Sequence, residues 1–146
     1  MTTPQSPIAR TIATYFDAWN ETTLEGCKKK LDQACAPNVA YRDPVHTCSG
    51  TTELATRIFR SRDNAPDYRV EVSTTVDGYD RTFRYGWLFV FGGGVHRLPG
   101  IDVVEVDAEG RIQTLVSFFG PVVPRAEGEA LREGPRWTLA SAVPTV

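Results

Sequence analysis

Along the chain, the spacing of apolar residues changes once, from every third or fourth position to every second. Ile8, Ile12, Tyr15, Phe16 and Trp19 form the stripe of an amphipathic helix. Leu24, Cys27, Leu31 and Ala34 predict a second helix, stopped by Pro37. A third is predicted over 51–62, behind the Ser49-Gly50 turn, with Leu54 and Ile58 inward. Between the last two, NVAYRDP (38–44) alternates, placing Val39, Tyr41 and Asp43 on one face of a short strand that Pro44 ends. After Pro66 the period is two. Tyr68, Val70, Val72, Thr74 and Val76 predict one half-buried strand, and Asp77-Gly78 a hairpin turn. Phe83, Tyr85, Trp87, Phe89 and Phe91 share a face of the next strand, 81–91. Gly92-Gly93-Gly94 turns the chain toward PGIDVVEV (99–106), and Gly110 leads to a last strand over 111–122. Helices first and strands after them indicate an α+β domain with an antiparallel sheet, one face of which the helices cover. A sheet curved over helices encloses a pocket, here with an aromatic lining.

The 146 residues suffice for a single domain over 1–146, with its core in about 8–122. Residues 123–146, rich in Gly, Pro and Glu, are a loose tail or, as preferred here, an arm packing on a neighbour with Trp137 near its end. Sixteen basic against 18 acidic residues leave a net charge of −2, without the basic face of a nucleic-acid binder. No signal-peptide core or 18-residue apolar run is present, so neither membrane insertion nor secretion is expected and the protein is placed in the cytoplasm. Cys27, Cys35 and Cys48, even taken with His46, match no compact metal-ligand spacing. Buried thiols acting as small hydrophobes are expected, with no metal and no cofactor.

Three polar groups sit on apolar faces. Tyr15 lies on the first helix stripe, Asp43 beside Val39 and Tyr41, and Asp102 beside Val104 and Val106. A buried carboxylate without a partner stays protonated, with a raised pKa. A neutral carboxylic acid and a phenol are both donors able to hold an oxyanion, while a second, ionised carboxylate moves a proton. The plainer readings are a core tyrosine with a capped hydroxyl, an Asx-turn for Asp43, and an Asp102 paired with Arg84 or Arg97 across the sheet. His46 and His96 are further titratable groups; His96 shares the parity of Asp102 unless the preceding glycines introduce a bulge.

ATYFDAW (13–19), YRDP (41–44) and IDVVEVDAEGRIQT (101–114) resemble the bacterial ketosteroid isomerases, within the superfamily of nuclear transport factor 2-like proteins and SnoaL-like polyketide cyclases. The likeness covers about residues 8–120. It implies a cone-shaped, curved antiparallel (mixed) sheet wrapped around three N-terminal helices, an apolar pocket, and a homodimer. By resemblance Tyr15 is the oxyanion tyrosine, Asp43 the general base and Asp102 the protonated acid. Phe16, Trp19, Tyr41, Phe59, Trp87, Phe89 and Phe119 are the corresponding candidates for binding a hydrophobic small molecule. The pattern departs from the isomerases at Cys35 and Phe59, where they carry further tyrosines, and at Pro99, where they carry an aspartate. The implied activity is a proton shift α to a carbonyl on a steroid or another hydrophobic ketone. The alternatives are a polyketide-type cyclase using Asp102 as acid and base, an epoxide hydrolase, ranked lower because Gly100 stands where its arginine would be, and a non-catalytic binding or dimerisation module.

Overall fold

The computed structural model describes residues 5–138. Three helices come first: α1 (Pro7–Asn20), α2 (Leu24–Ala34) and α3 (Thr51–Arg60), the last continued by a 3-10 turn, Ser61–Asp63. The Ser6 hydroxyl caps α1 by accepting from the Ala9 N–H, and Thr23 caps α2 by accepting from Gly26. The strands are β1 (Cys35–Arg42), β2 (Thr47–Ser49), β3 (Arg69–Val72), β4 (Asp77–Tyr79), β5 (Thr82–Phe91), β6 (His96–Val106) and β7 (Ile112–Phe119). They form one sheet in the order β2-β1-β7-β6-β5-β3, with β4 pairing β5 outside that path. All pairings are antiparallel except β1 with β7, which run parallel, so the curved sheet is mixed. Ile12, Phe16, Leu31, Leu54 and Ile58 of the helices are buried together with Val39, Val104, Ile112 and Leu115 of the strands. Each such side chain contributes about 1.5–3 kcal/mol by leaving water. No helix among the described residues is long and apolar enough to cross a membrane.

Several boundaries differ from the sequence expectation, each for a local reason. The strand predicted over 68–76 breaks after Val72. There the Thr74 hydroxyl accepts from the Gly86 N–H at 2.7 Å, a side chain taking the place of the ladder. Asp77-Gly78 is not the hairpin turn. Both residues pair within β4, and the chain reverses at Asp80, which takes a left-handed φ of 53° that aspartate tolerates. The three glycines 92–94 all adopt positive φ and complete the β5–β6 turn without a bulge, the register running unbroken from Thr82↔Glu105 to Phe91↔His96. β1 starts at Cys35, ahead of Pro37, and shifts register between Cys35 and Ala40, where a proline without an N–H does least harm. The last strand ends at Phe119, and Gly120 (φ 81°) turns the chain away. Beyond it the arm returns to its own sheet end: a Cβ on Gly120 would lie 2.1 Å from the Trp137 indole, so the glycine is the seat of that half-buried ring. The remainder of the arm, 139–146, lies outside the described residues.

Candidate active site

In β6 the even-numbered residues Leu98, Gly100, Asp102 and Val104 are buried under the helices. Asp102 sits opposite Tyr85 of β5 and Ser117 of β7 and is 3% exposed. The Tyr85 hydroxyl donates to its Oδ2 and the Trp87 indole N–H to its Oδ1, each at 2.8 Å. Trp87 reaches it by lying flat on Gly100; a Cβ there would be 1.9 Å from the ring. Burial pushes the carboxyl up to about 6, while hydrogen bonds from Ser117, Tyr85 and Trp87 pull the other way. The direction is the one expected, and the three donors hold the rise below what burial alone would produce. Neither arginine proposed as a partner reaches it: Arg84 pairs with Asp77 at 3.0 Å on the opposite, exposed face, and Arg97 is exposed at odd parity.

Asp43 lies just past the end of β1. Its Oδ1 accepts from the backbone N–H groups of Val45 and His46, both at 2.8 Å, and its backbone N–H donates to the His46 carbonyl at 2.9 Å, closing an Asx-type turn. Its Oδ2 accepts from the Tyr41 hydroxyl at 2.7 Å, and His46 Nδ1 stands 3.4 Å from Oδ1. The turn role and a place in the site therefore coexist in one side chain. Three of the four lone-pair positions of the carboxylate face its own strand and turn.

Tyr15, on the inner stripe of α1, is 1% exposed. Burial first, and then the Asp102 carboxylate, push its phenol well above the usual tyrosine range, with Asp43 adding in the same sense and Trp19 opposing. Tyr15, Asp43 and Asp102 line one cavity of about 360 Å³. Of the aromatic candidates that the resemblance offers, Phe16, Trp19, Tyr41, Trp87, Phe89 and Phe119 line it too. Phe59 does not: it follows the inward Ile58 by one position, a step of about 100° around a helix, and is half-buried elsewhere on α3.

Other lining residues are not among the site candidates that the sequence offers. Ser117, His46, Arg57, Ser61 and Asn64 contribute polar atoms, and Val45, Val70 and Leu98 extend the apolar wall. Arg57 falls three positions after Leu54 on the inward stripe of α3, and Ser61, seven positions after it, extends that stripe into the 3-10 turn, which is the signal that marks them. Tyr85 was placed on the correct face, but its role depends on β5–β6 register. The phenols thus flank the two carboxylates from the strands, while Cys35, buried in the core, leaves Tyr15 without a tyrosine brace there. All three cysteines are free and buried, and among the described residues no cluster of three or more His, Cys, Asp or Glu side chains is disposed to hold a metal.

Known proteins share this fold. The model of the SnoaL-like domain matches residues 12–115. A candidate isomerase of the SnoaL-like family from Agrobacterium tumefaciens str. C58 is 32% identical over 80% of this chain and 100% of its own, with a TM-score of 0.74. At 13% identity, where only the fold is comparable, a candidate SnoaL-like polyketide cyclase from Jannaschia sp. CCS1 superposes with a TM-score of 0.61 over 81% of this chain and 91% of its own. A nuclear transport factor 2-like protein from Cytophaga hutchinsonii ATCC 33406, also 13% identical, gives 0.59 over 83% and 96%. No curated protein matches the chain. With the family pattern spanning α1 to β7 and a relative 32% identical over 80% of the chain, the chain belongs to the SnoaL-like family.

Proposed function

We propose that the protein is a cofactor-independent enzyme of ketosteroid-isomerase type, moving a proton α to the carbonyl of a hydrophobic ketone through an enolate. The observation that carries this reading is the convergence of Tyr15, Asp43 and Asp102 on one mostly apolar cavity. Asp43 Oδ2, which accepts only from Tyr41, has a lone pair free to take the proton. Tyr15 and the protonated form of Asp102 donate to the oxygen as charge develops on it. With its carboxyl raised toward neutrality by burial, protonating Asp102 costs little at pH 7. A ketone that displaces water from the cavity lowers that cost. The Agrobacterium relative, a candidate isomerase, supports the reaction class. A homodimer in the cytoplasm belongs to the same reading.

One observation favours a second reading. A carboxyl with a pKa of about 6 is well matched to serve as both acid and base near neutrality. In a polyketide-cyclase-type enzyme Asp102 would exchange the proton itself and Asp43 would serve its turn. Deuterium uptake at the α carbon of an enone, followed by NMR between pH 5 and 8, separates the two. The isomerase reading expects a rate that falls as pH rises through about 6, and losses on the order of 10²- to 10³-fold in both Asp43→Asn and Asp102→Ala. The cyclase reading expects a rate that rises through the same pH and survives Asp43→Asn. Unchanged exchange in both variants would overturn the proton-transfer chemistry altogether.

A further inference from the structure

The cavity has two polar ends, and the reaction above uses one of them. Tyr15 and Asp102 mark the closed end. At the open end Val45 is 65% exposed and the His46 side chain 34%, and the cavity continues past them into a shallower groove along α3 that shares Val45, His46 and Arg57. Arg57 is half-buried there and, among the described residues, is the one lysine or arginine lining the cavity. No carboxylate of those residues lies within ion-pair distance of its guanidinium. Glu53, one turn earlier on α3, lines the groove without pairing to it, and Asp43 in the same cavity is engaged by Tyr41 and by the Val45 and His46 N–H groups. Partial burial of a cation carries a desolvation cost, and among the described residues no carboxylate is close enough to offset it with a direct ion pair. A planar guanidinium matches a carboxylate with two parallel hydrogen bonds, and Ser61 and Asn64 add neutral polar atoms on the same side of the cavity.

We infer that the substrate is a keto acid: a hydrophobic ketone carrying a carboxylate at the end remote from the reacting carbonyl, with the carboxylate on Arg57 and the carbonyl at Tyr15 and Asp102. The assignment of the ketone end rests on the proton-transfer reading, whereas the anion end stands on the geometry of Arg57. The opposite orientation would set the ligand's negative charge beside Asp102 at the closed end, which lacks the cation that stands with Asp43 at the open end. An apolar wall formed by Trp87, Phe89 and Phe119 lines the same cavity, suiting an aromatic or alicyclic body.

Calorimetric titration of the full chain at pH 7.5 with 6-acetyl-2-naphthoate and with 2-acetylnaphthalene, which lacks only the carboxylate, tests the anion end without requiring turnover. The wild type is expected to bind the carboxylate on the order of 10-fold more tightly. Arg57→Gln should erase that preference, and Arg57→Lys, which keeps the charge but not the fork, should retain part of it. Equal affinity for the two probes in the wild type, a preference that survives Arg57→Gln, or no measurable binding of either probe overturns the inference. An anion preference that depends on Arg57, found in a protein that exchanges no α proton, leaves the anion site standing and overturns only the reaction assigned to the other end.

Discussion

Replacing Trp87 by Phe removes one donor from Asp102 while keeping an aromatic ring in the cavity wall. The indole N–H lies 2.8 Å from Oδ1, against a carboxyl that is 3% exposed. A hydrogen bond to a charged group contributes about 1.5–3 kcal/mol and one pKa unit corresponds to about 1.4 kcal/mol, so the carboxyl should rise from about 6 by roughly one to two units. The native pKa of this acid already lies above its unfolded value, so the folded state binds the extra proton. The stability held below pH about 4 is therefore lost as pH rises toward the native pKa, and the loss then levels off. In the wild type that loss is complete a little above pH 6; in Trp87→Phe it continues to about pH 8. The variant's deficit should accordingly grow by about 1.5–3 kcal/mol between pH 5.5 and 8.5, on top of a pH-independent cost of the smaller ring. Urea unfolding at the two pH values measures the growth, and ¹³C titration of the aspartate carboxyls measures the pKa directly. A carboxyl that titrates at or below the wild-type midpoint, together with an equal deficit at both pH values, would refute the claim that the indole holds the ionised form.

Gly100→Ala places a methyl group 1.9 Å from the Trp87 ring, so the indole must move and take its hydrogen bond with it; a loss of about 1–3 kcal/mol is expected in urea unfolding, and an unchanged midpoint would show that the ring does not lie on the glycine. Asn20, the last residue of α1, acts as a strand partner for β3, donating to the Val70 carbonyl at 2.7 Å and accepting from the Val70 N–H at 2.9 Å. Asn20→Ala should cost about 1–3 kcal/mol, and a change within the roughly 0.5 kcal/mol typical of surface substitutions would contradict that bridging role.

Periodicity carried much of this site. The parity of Asp102 with Val104 placed it inward, and the steps of the first helix stripe did the same for Tyr15, because both inferences need only the geometry of a single element. What stayed hidden depends on register between elements. That Tyr85 meets Asp102, and that Trp87 crosses to it over Gly100, follows from which residue of β5 faces which residue of β6, and alternation along one strand does not contain that information. The Asp77-Gly78 turn failed for a related reason: a short dipeptide signal was overridden by pairing with Phe83 and Arg84 two residues further into the hairpin. Asp43 is legible both as turn former and as inward carboxylate, and the sequence presents as alternatives what one side chain combines.

The parallel seam between β1 and β7 also bears on how the chain is made. Cys35 pairs with Ile112, so a growing polypeptide displays β1 without its main partner until about 75 further residues have been added, an interval of about 4–15 s at ordinary rates of synthesis. An unpaired strand rim held open that long invites association with other nascent chains. Pro37, which cannot donate, and the slip in register beside it interrupt the rim where it would otherwise be most regular. Tyr41, carried on the waiting strand, and Asp43, just past its end, come beside the strand that holds Asp102 only when β7 arrives between them.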